Sequence, residues 1–177
     1  MNTMNFPFPK TALDTPCLLL DLDVFNRNLN TMRNYVLTAG KKLRPHAKTH
    51  KCAWIAERQL AVGGCVGICT AKVSEAQAML KAGIKDILIT SPVVTDAKIA
   101  ALLDCATASP GIMTVVDSVE NARKLSIEAH KRRLILDVLV DIDPEMGRTG
   151  VSFDAALPLG QLLANLPGLR LRGIQCY

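Results

Sequence analysis

The feature that most restricts the fold is a repeated alternation. Short apolar runs of β type are each followed by a helix-patterned run of about ten to fifteen residues. CLLLDL (17–22) reads as a strand, with Asp23 placed to cap a helix through Ala39 that Gly40 ends. KLRPHA precedes a helix over 52–61, and VGICTA precedes one led by Ser74, Glu75 and Ala76 that stops at Gly83. DILIT is followed by a helix from Asp96, and IMTVVD by one opened by Ser118 with Glu120 and Asn121. LDVLVDI leads to a helix from Asp154, and LRLRGIQC comes last. Strands and helices in strict alternation mean βα units around a parallel sheet. A doubly wound sheet calls for a glycine-rich turn after its first strand, which DLDVFNRN lacks. A (β/α) barrel instead gathers its chemistry at the C-terminal ends of several strands, and the motifs below fall there.

With 49% hydrophobic and 21% charged residues in 177, the chain has the makings of one globular core. A net charge of +5 allows a nucleic-acid partner, but aromatics at 4% and the absence of a basic stripe argue against one. Cys65 and Cys69 do not make a CxxC pair, and the six cysteines fall mostly in apolar runs, as expected of reduced thiols in a cytoplasm. The opening residues lack the charged-then-apolar order of a secretion signal, and no apolar run has membrane-spanning length, so no membrane partner is expected.

The densest charge lies in RPHAKTHK (44–51). On a strand, Arg44, His46 and Lys48 share one face and Leu43, Pro45 and Ala47 the other. If the basic face lines a barrel, neighbouring positive charge and desolvation both lower the Lys48 pKa, giving a free amine able to attack a carbonyl. The same eight residues also suit a solvated basic loop. In LDVLVDI, Asp137, Leu139 and Asp141 share a face, and acids inside a barrel need basic partners, which the Lys48 strand could provide. Gly147 and Gly150 permit a sharp turn that aims Arg148 at an anion, and Gln175 and Tyr177 share a face where the aromatic ring could cover a flat ligand. Arg148 as a surface charge and Tyr177 as an edge packing residue are the plainer alternatives.

DTPCLLLDLDVFNRNL, RPHAKTHK, GICTAKVSEAQAML, EMGRTGV and GIQCY occur here in an order and spacing that resemble the D-threonine aldolase and D-serine dehydratase-like family, which shares the alanine racemase N-terminal fold. The resemblance runs from Leu13 onward, and RPHAKTHK is its most specific part. It implies a (β/α)8 TIM-type barrel binding pyridoxal 5′-phosphate. Lys48 matches the lysine that holds this cofactor as a Schiff base, and Lys51, on the following helix, is the lesser candidate. Arg148 matches an arginine near the cofactor's phenolic oxygen, Tyr177 the position that packs on its ring, and His46 a motif residue without an assigned role.

The resemblance assigns residues 1–22 to a segment and strand of a second β domain and 23–177 to the barrel. It leaves about six of the eight barrel strands. The expectation is therefore an N-terminal fragment, catalytically incomplete alone, with an open last strand and with its divalent-metal ligands in the remainder. Its histidines and cysteines form no metal set. The implied substrate is a D-β-hydroxy amino acid, cleaved as by a D-threonine aldolase to glycine and an aldehyde, and the implied assembly is a homodimer at full length. A D-serine dehydratase and a non-catalytic cofactor-binding protein are the alternatives.

Overall fold

A computed structural model describes residues 9–177. The absence of a secretion signal concerns residues 1–8 in part, and these lie outside the described residues. The elements are α1 (Leu22–Thr38), a 3-10 turn at Ala47–Thr49, α2 (Ala53–Ala61), β1 (Ile68–Thr70), α3 (Val73–Lys81) and β2 (Ile87–Ile89). There follow α4 (Asp96–Ala108), β3 (Met113–Val116), α5 (Val119–Lys131), β4 (Leu136–Ile142), α6 (Phe153–Asn165) and β5 (Leu169–Cys176). All five strands pair in parallel, in the order β1-β2-β3-β4-β5. None of the helices among the described residues is long and apolar enough to cross a membrane.

Leu43–His46 supplies a sixth position, lying parallel beside β1 through bridges from Leu43 to Cys65 and from His46 to Cys69. Pro45 has no N–H to give, so the pairing there is one-sided: its carbonyl accepts the Cys69 N–H at 2.8 Å. The result, among the described residues, is an open parallel α/β sheet of five strands and one bridged position, the arrangement expected of an incomplete (β/α) barrel.

The two faces of the sheet do different work. Towards the helices, Ile68, Ile87, Ile89, Val116, Leu136 and Val138 are buried in one large cluster with Leu102, Leu103 and Leu125. Full burial of each such side chain is worth about 1.5–3 kcal/mol. Towards the lumen lies a smaller cluster of Cys69, Leu88 and Val115, with Met113 and Leu139 against it. The lumen floor is tight: Arg44 Nη1 donates to the Asp86 carbonyl. A side chain at Gly67 would overlap both groups.

The run 17–22 departs from expectation. It forms no strand, and Asp21, not Asp23, caps α1 by accepting the Val24 N–H at 3.0 Å. Backbone here finds no neighbouring strand among the described residues, and a lone strand gains nothing from extension. Leu18, Leu19 and Leu20 are exposed as a result.

Candidate functional site at the C-terminal rim of the sheet

Strand geometry ends at His46. Its Nδ1 accepts the Lys48 N–H at 3.3 Å and so caps the 3-10 turn that carries Lys48. The expected alternation of Arg44, His46 and Lys48 therefore breaks between the second and third residues. Arg44 lies at the floor, His46 in the wall and Lys48 on the rim. Lys48 is exposed, not enclosed as the strand reading expects, because the backbone turns before it. Lys51 also differs from expectation. It precedes α2 instead of lying on it, and its Nζ is 2.6 Å from Glu75 Oε1.

Because His46 Nδ1 is an acceptor, the ring proton belongs on Nε2, which lies 3.1 Å from Thr90 Oγ1. The Thr90 hydroxyl in turn donates to the Thr70 carbonyl at 3.2 Å, so each donor in the chain has an acceptor. Burial lowers the His46 pKa, the Lys48 ammonium lowers it further, and Glu75 opposes them. The neutral ring is the form this network requires.

Asp137 and Asp141 face the lumen and are 5% and 2% exposed. Their partners are not the basic strand. Asp137 takes Arg170 through Nε at 2.6 Å and Nη2 at 3.0 Å, and Arg172 through Nη1 at 3.3 Å. Asp141 Oδ1 accepts from Gln175 Nε2 at 2.8 Å, and the same nitrogen lies 3.2 Å from the Thr90 carbonyl. Sheet order gives the reason: β5 is next to β4, whereas Leu43–His46 sits at the opposite edge. A bulge lets Arg172 join Arg170, since Leu139 pairs with Gly173 and Arg172 becomes the extra residue. Asp141 Oδ2 is buried with no hydrogen-bond partner among the described residues.

The loop after β4 closes on itself. Asp143 Oδ1 accepts the Met146 N–H at 2.6 Å, and Oδ2 accepts the Gly147 N–H at 2.9 Å. Gly150 stands at φ 105°, where a Cβ would overlap the backbone of Ile142 and Asp143. Its N–H donates to Asp117 Oδ2 at 3.2 Å. Arg148, held out on this loop, has its guanidinium 4.8 Å from the centre of the Tyr177 ring, and Lys48 Nζ is 5.7 Å from the same ring. Lys48, Arg148 and Tyr177, three of the residues that the resemblance matched, thus meet at one spot, and His46 caps the turn beneath. Neither cation has a carboxylate within ion-pair distance among the described residues.

Sequence reading missed Glu75, Thr90, Asp117 and Asp143. Only Asp143 left a local signal, an aspartate followed by Pro144 and a glycine, which favours side-chain to backbone turns. The other three act across elements.

Residues 20–177 match the model of the alanine racemase N-terminal domain. The chain belongs to that family. Among alanine racemase-type barrels of known structure, a D-threonine aldolase from Filomicrobium marinum superposes with a TM-score of 0.88 and is 45% identical, over 92% of this chain and 44% of that one. By sequence, the 3-hydroxy-D-aspartate aldolase of Paracoccus denitrificans is 38% identical over 95% of this chain and 44% of its own length. The D-threo-3-hydroxyaspartate dehydratase of Delftia sp. (strain HT23) is 31% identical over 92% of this chain and 43% of its own length. The chain thus spans less than half the length of the relatives it matches.

Proposed function

We propose that the chain is the cofactor-binding barrel of a pyridoxal 5′-phosphate-dependent lyase that acts on D-β-hydroxy amino acids, with D-threonine-type aldol cleavage as its reaction. The observation that carries this reading is the convergence of the Lys48 amine and the Arg148 guanidinium on the Tyr177 ring. Side-chain chemistry fits the cofactor: a primary amine for an aldehyde, a cation without a carboxylate partner for an anionic oxygen, and an exposed flat ring for another flat ring. When bound, pyridoxal phosphate supplies a conjugated system that accepts the electron pair released at the substrate's Cα.

In this reading Lys48 Nζ would hold the cofactor covalently, Arg148 would meet its ring oxygen and Tyr177 would lie against its ring. His46 keeps Lys48 at the rim by fixing the turn and, being neutral, adds no further positive charge beside the amine. The net reaction breaks the Cα–Cβ bond of the substrate. The β-hydroxyl proton leaves to a base, its carbon becomes the aldehyde, and Cα takes up a proton to give glycine. A divalent metal belongs to the reading as a partner of that hydroxyl. Among the described residues no three His, Cys, Asp or Glu side chains cluster closely enough to hold one, so the reading assigns its ligands to residues outside these 177. The reading also takes the whole protein to be a cytoplasmic homodimer with a small-molecule substrate.

The Delftia relative, named a dehydratase, supports a second reading: loss of the β-hydroxyl, as in a D-serine dehydratase. Aldolase and dehydratase would share everything described at this rim.

The test is to mix the chain with pyridoxal phosphate, reduce with borohydride and map the modified lysine by mass spectrometry. A borohydride-sensitive visible band and label on Lys48, both absent from Lys48→Ala, are expected. Folded protein that takes no label, or takes it equally on other lysines, would overturn the assignment.

A further inference from the structure

Lys51 occupies a left-handed backbone conformation, φ 48°, that a residue with a side chain adopts only when its surroundings hold it there. It follows the turn that carries Lys48, and its N–H donates to the Ala47 carbonyl at 2.7 Å, closing that turn. Its ammonium runs to Glu75 Oε1 at 2.6 Å, while Glu75 Oε2 accepts the Ala71 N–H at 2.9 Å. Glu75 is the fixed end of the pair. Its side chain is 15% exposed against 65% for Lys51, and it sits in the first turn of α3. Burial resists its ionisation, but the Lys51 ammonium, the Ala71 N–H and nearby His46 hold its carboxyl below the usual carboxylate range.

We propose that Glu75 is a positioning residue for Lys48. By tying Lys51 to the start of α3 it fixes the left-handed residue that ends the turn, and so fixes where Lys48 Nζ stands on the rim. The proposal rests on the reading of Lys48 as the reactive amine. In this proposal Lys51 is the link between Glu75 and the turn.

Charge and position can be told apart. Removing the Glu75 carboxylate favours the neutral form of a neighbouring amine, whereas removing the Lys51 ammonium favours its charged form, so purely electrostatic effects have opposite signs. A positional effect has one sign for both and is not additive. The experiment follows reductive methylation of Lys48 by formaldehyde and cyanoborohydride against pH, peptide by peptide, in wild type, Glu75→Gln, Lys51→Met, the double variant and Lys51→Arg. Trapping of pyridoxal phosphate on Lys48 is measured in the same set.

Expected are Lys48 profiles displaced the same way in both single variants, a double variant that coincides with them, and recovery in Lys51→Arg. The pyridoxal phosphate concentration for half-trapping should rise about fivefold in the three displaced variants. Displacements of opposite sign, or profiles that lie on the wild type, would overturn the role of Glu75 whatever the cofactor does. A wild type that traps no cofactor at Lys48 overturns the cofactor reading instead, and the methylation profiles still decide on Glu75. Lys51→Met changes a mostly exposed side chain, so it carries the test should Glu75→Gln unfold.

Discussion

Asp137 is a carboxylate buried among apolar side chains on the lumen face, and two arginines from the neighbouring strand neutralise it. The burial is lopsided: the Asp137 side chain is 6% exposed, those of Arg170 and Arg172 56% and 50%. Removing the acid leaves two guanidinium groups that water can still reach. Removing both arginines leaves a charge that water cannot reach, and an uncompensated buried charge costs about 3–5 kcal/mol. The two changes should therefore be unequal. Arg170→Met with Arg172→Met should lower stability to urea by about that amount at neutral pH, and Asp137→Asn by only about 1 kcal/mol. Urea unfolding of the three proteins at one pH checks the order, and an asparagine variant less stable than the double arginine variant would contradict it.

The 3-10 turn at Ala47–Thr49 is the smallest element of the site and the one with a built-in acid sensitivity. His46 caps it through an unprotonated Nδ1, and both His46 and His50 have pKa values lowered from 6.5, in each case first by burial. A lowered value in the folded state means that the unfolded chain binds protons first. Stability is then complete above about pH 6.5 and falls as the pH drops towards the folded values. His46→Asn keeps a side-chain acceptor at the cap but does not titrate, so the fall in melting temperature between about pH 7 and pH 5.5 should be smaller than in wild type. Equal slopes would show that His46 does not carry the effect. This turn is also where sequence and structure part. The strands over 136–142 and 169–176 were legible because apolar residues are interrupted only by polar ones at strand spacing, between turn signals such as Pro144 and Gly168. Lys48 was assigned to a strand because alternation continues in the letters after the backbone has turned. CLLLDL had strand composition but no neighbour to pair with. Arg170 and Arg172 were hidden as partners of Asp137 because the pairing depends on sheet order and a bulge, neither of which is written locally.

At the scale of the molecule the sheet is curved but open. A closed barrel of this type has eight strands, and the described residues provide six positions, with Leu43–His46 at one edge and β5 at the other. Among the described residues no strand lies beside the outer edge of β5, which leaves backbone groups that other chains can pair with. Its charged side chains give little protection, because Arg170 and Arg172 are engaged on Asp137, while Ile174 is 63% exposed. Exposed apolar surface next to a free edge favours strand addition. The 177-residue polypeptide by itself should therefore self-associate with rising concentration, and Ile174→Lys should reduce this by placing a charge beside the edge. Ile174 lies outside the set of rim residues, so trapping of pyridoxal phosphate at Lys48, compared at low protein concentration, should not change. Light scattering over a concentration series, with the trapping assay alongside, tests both halves. A monodisperse wild type would show that the β5 edge is covered in solution, and a lysine variant that scatters like wild type would place the association on another surface.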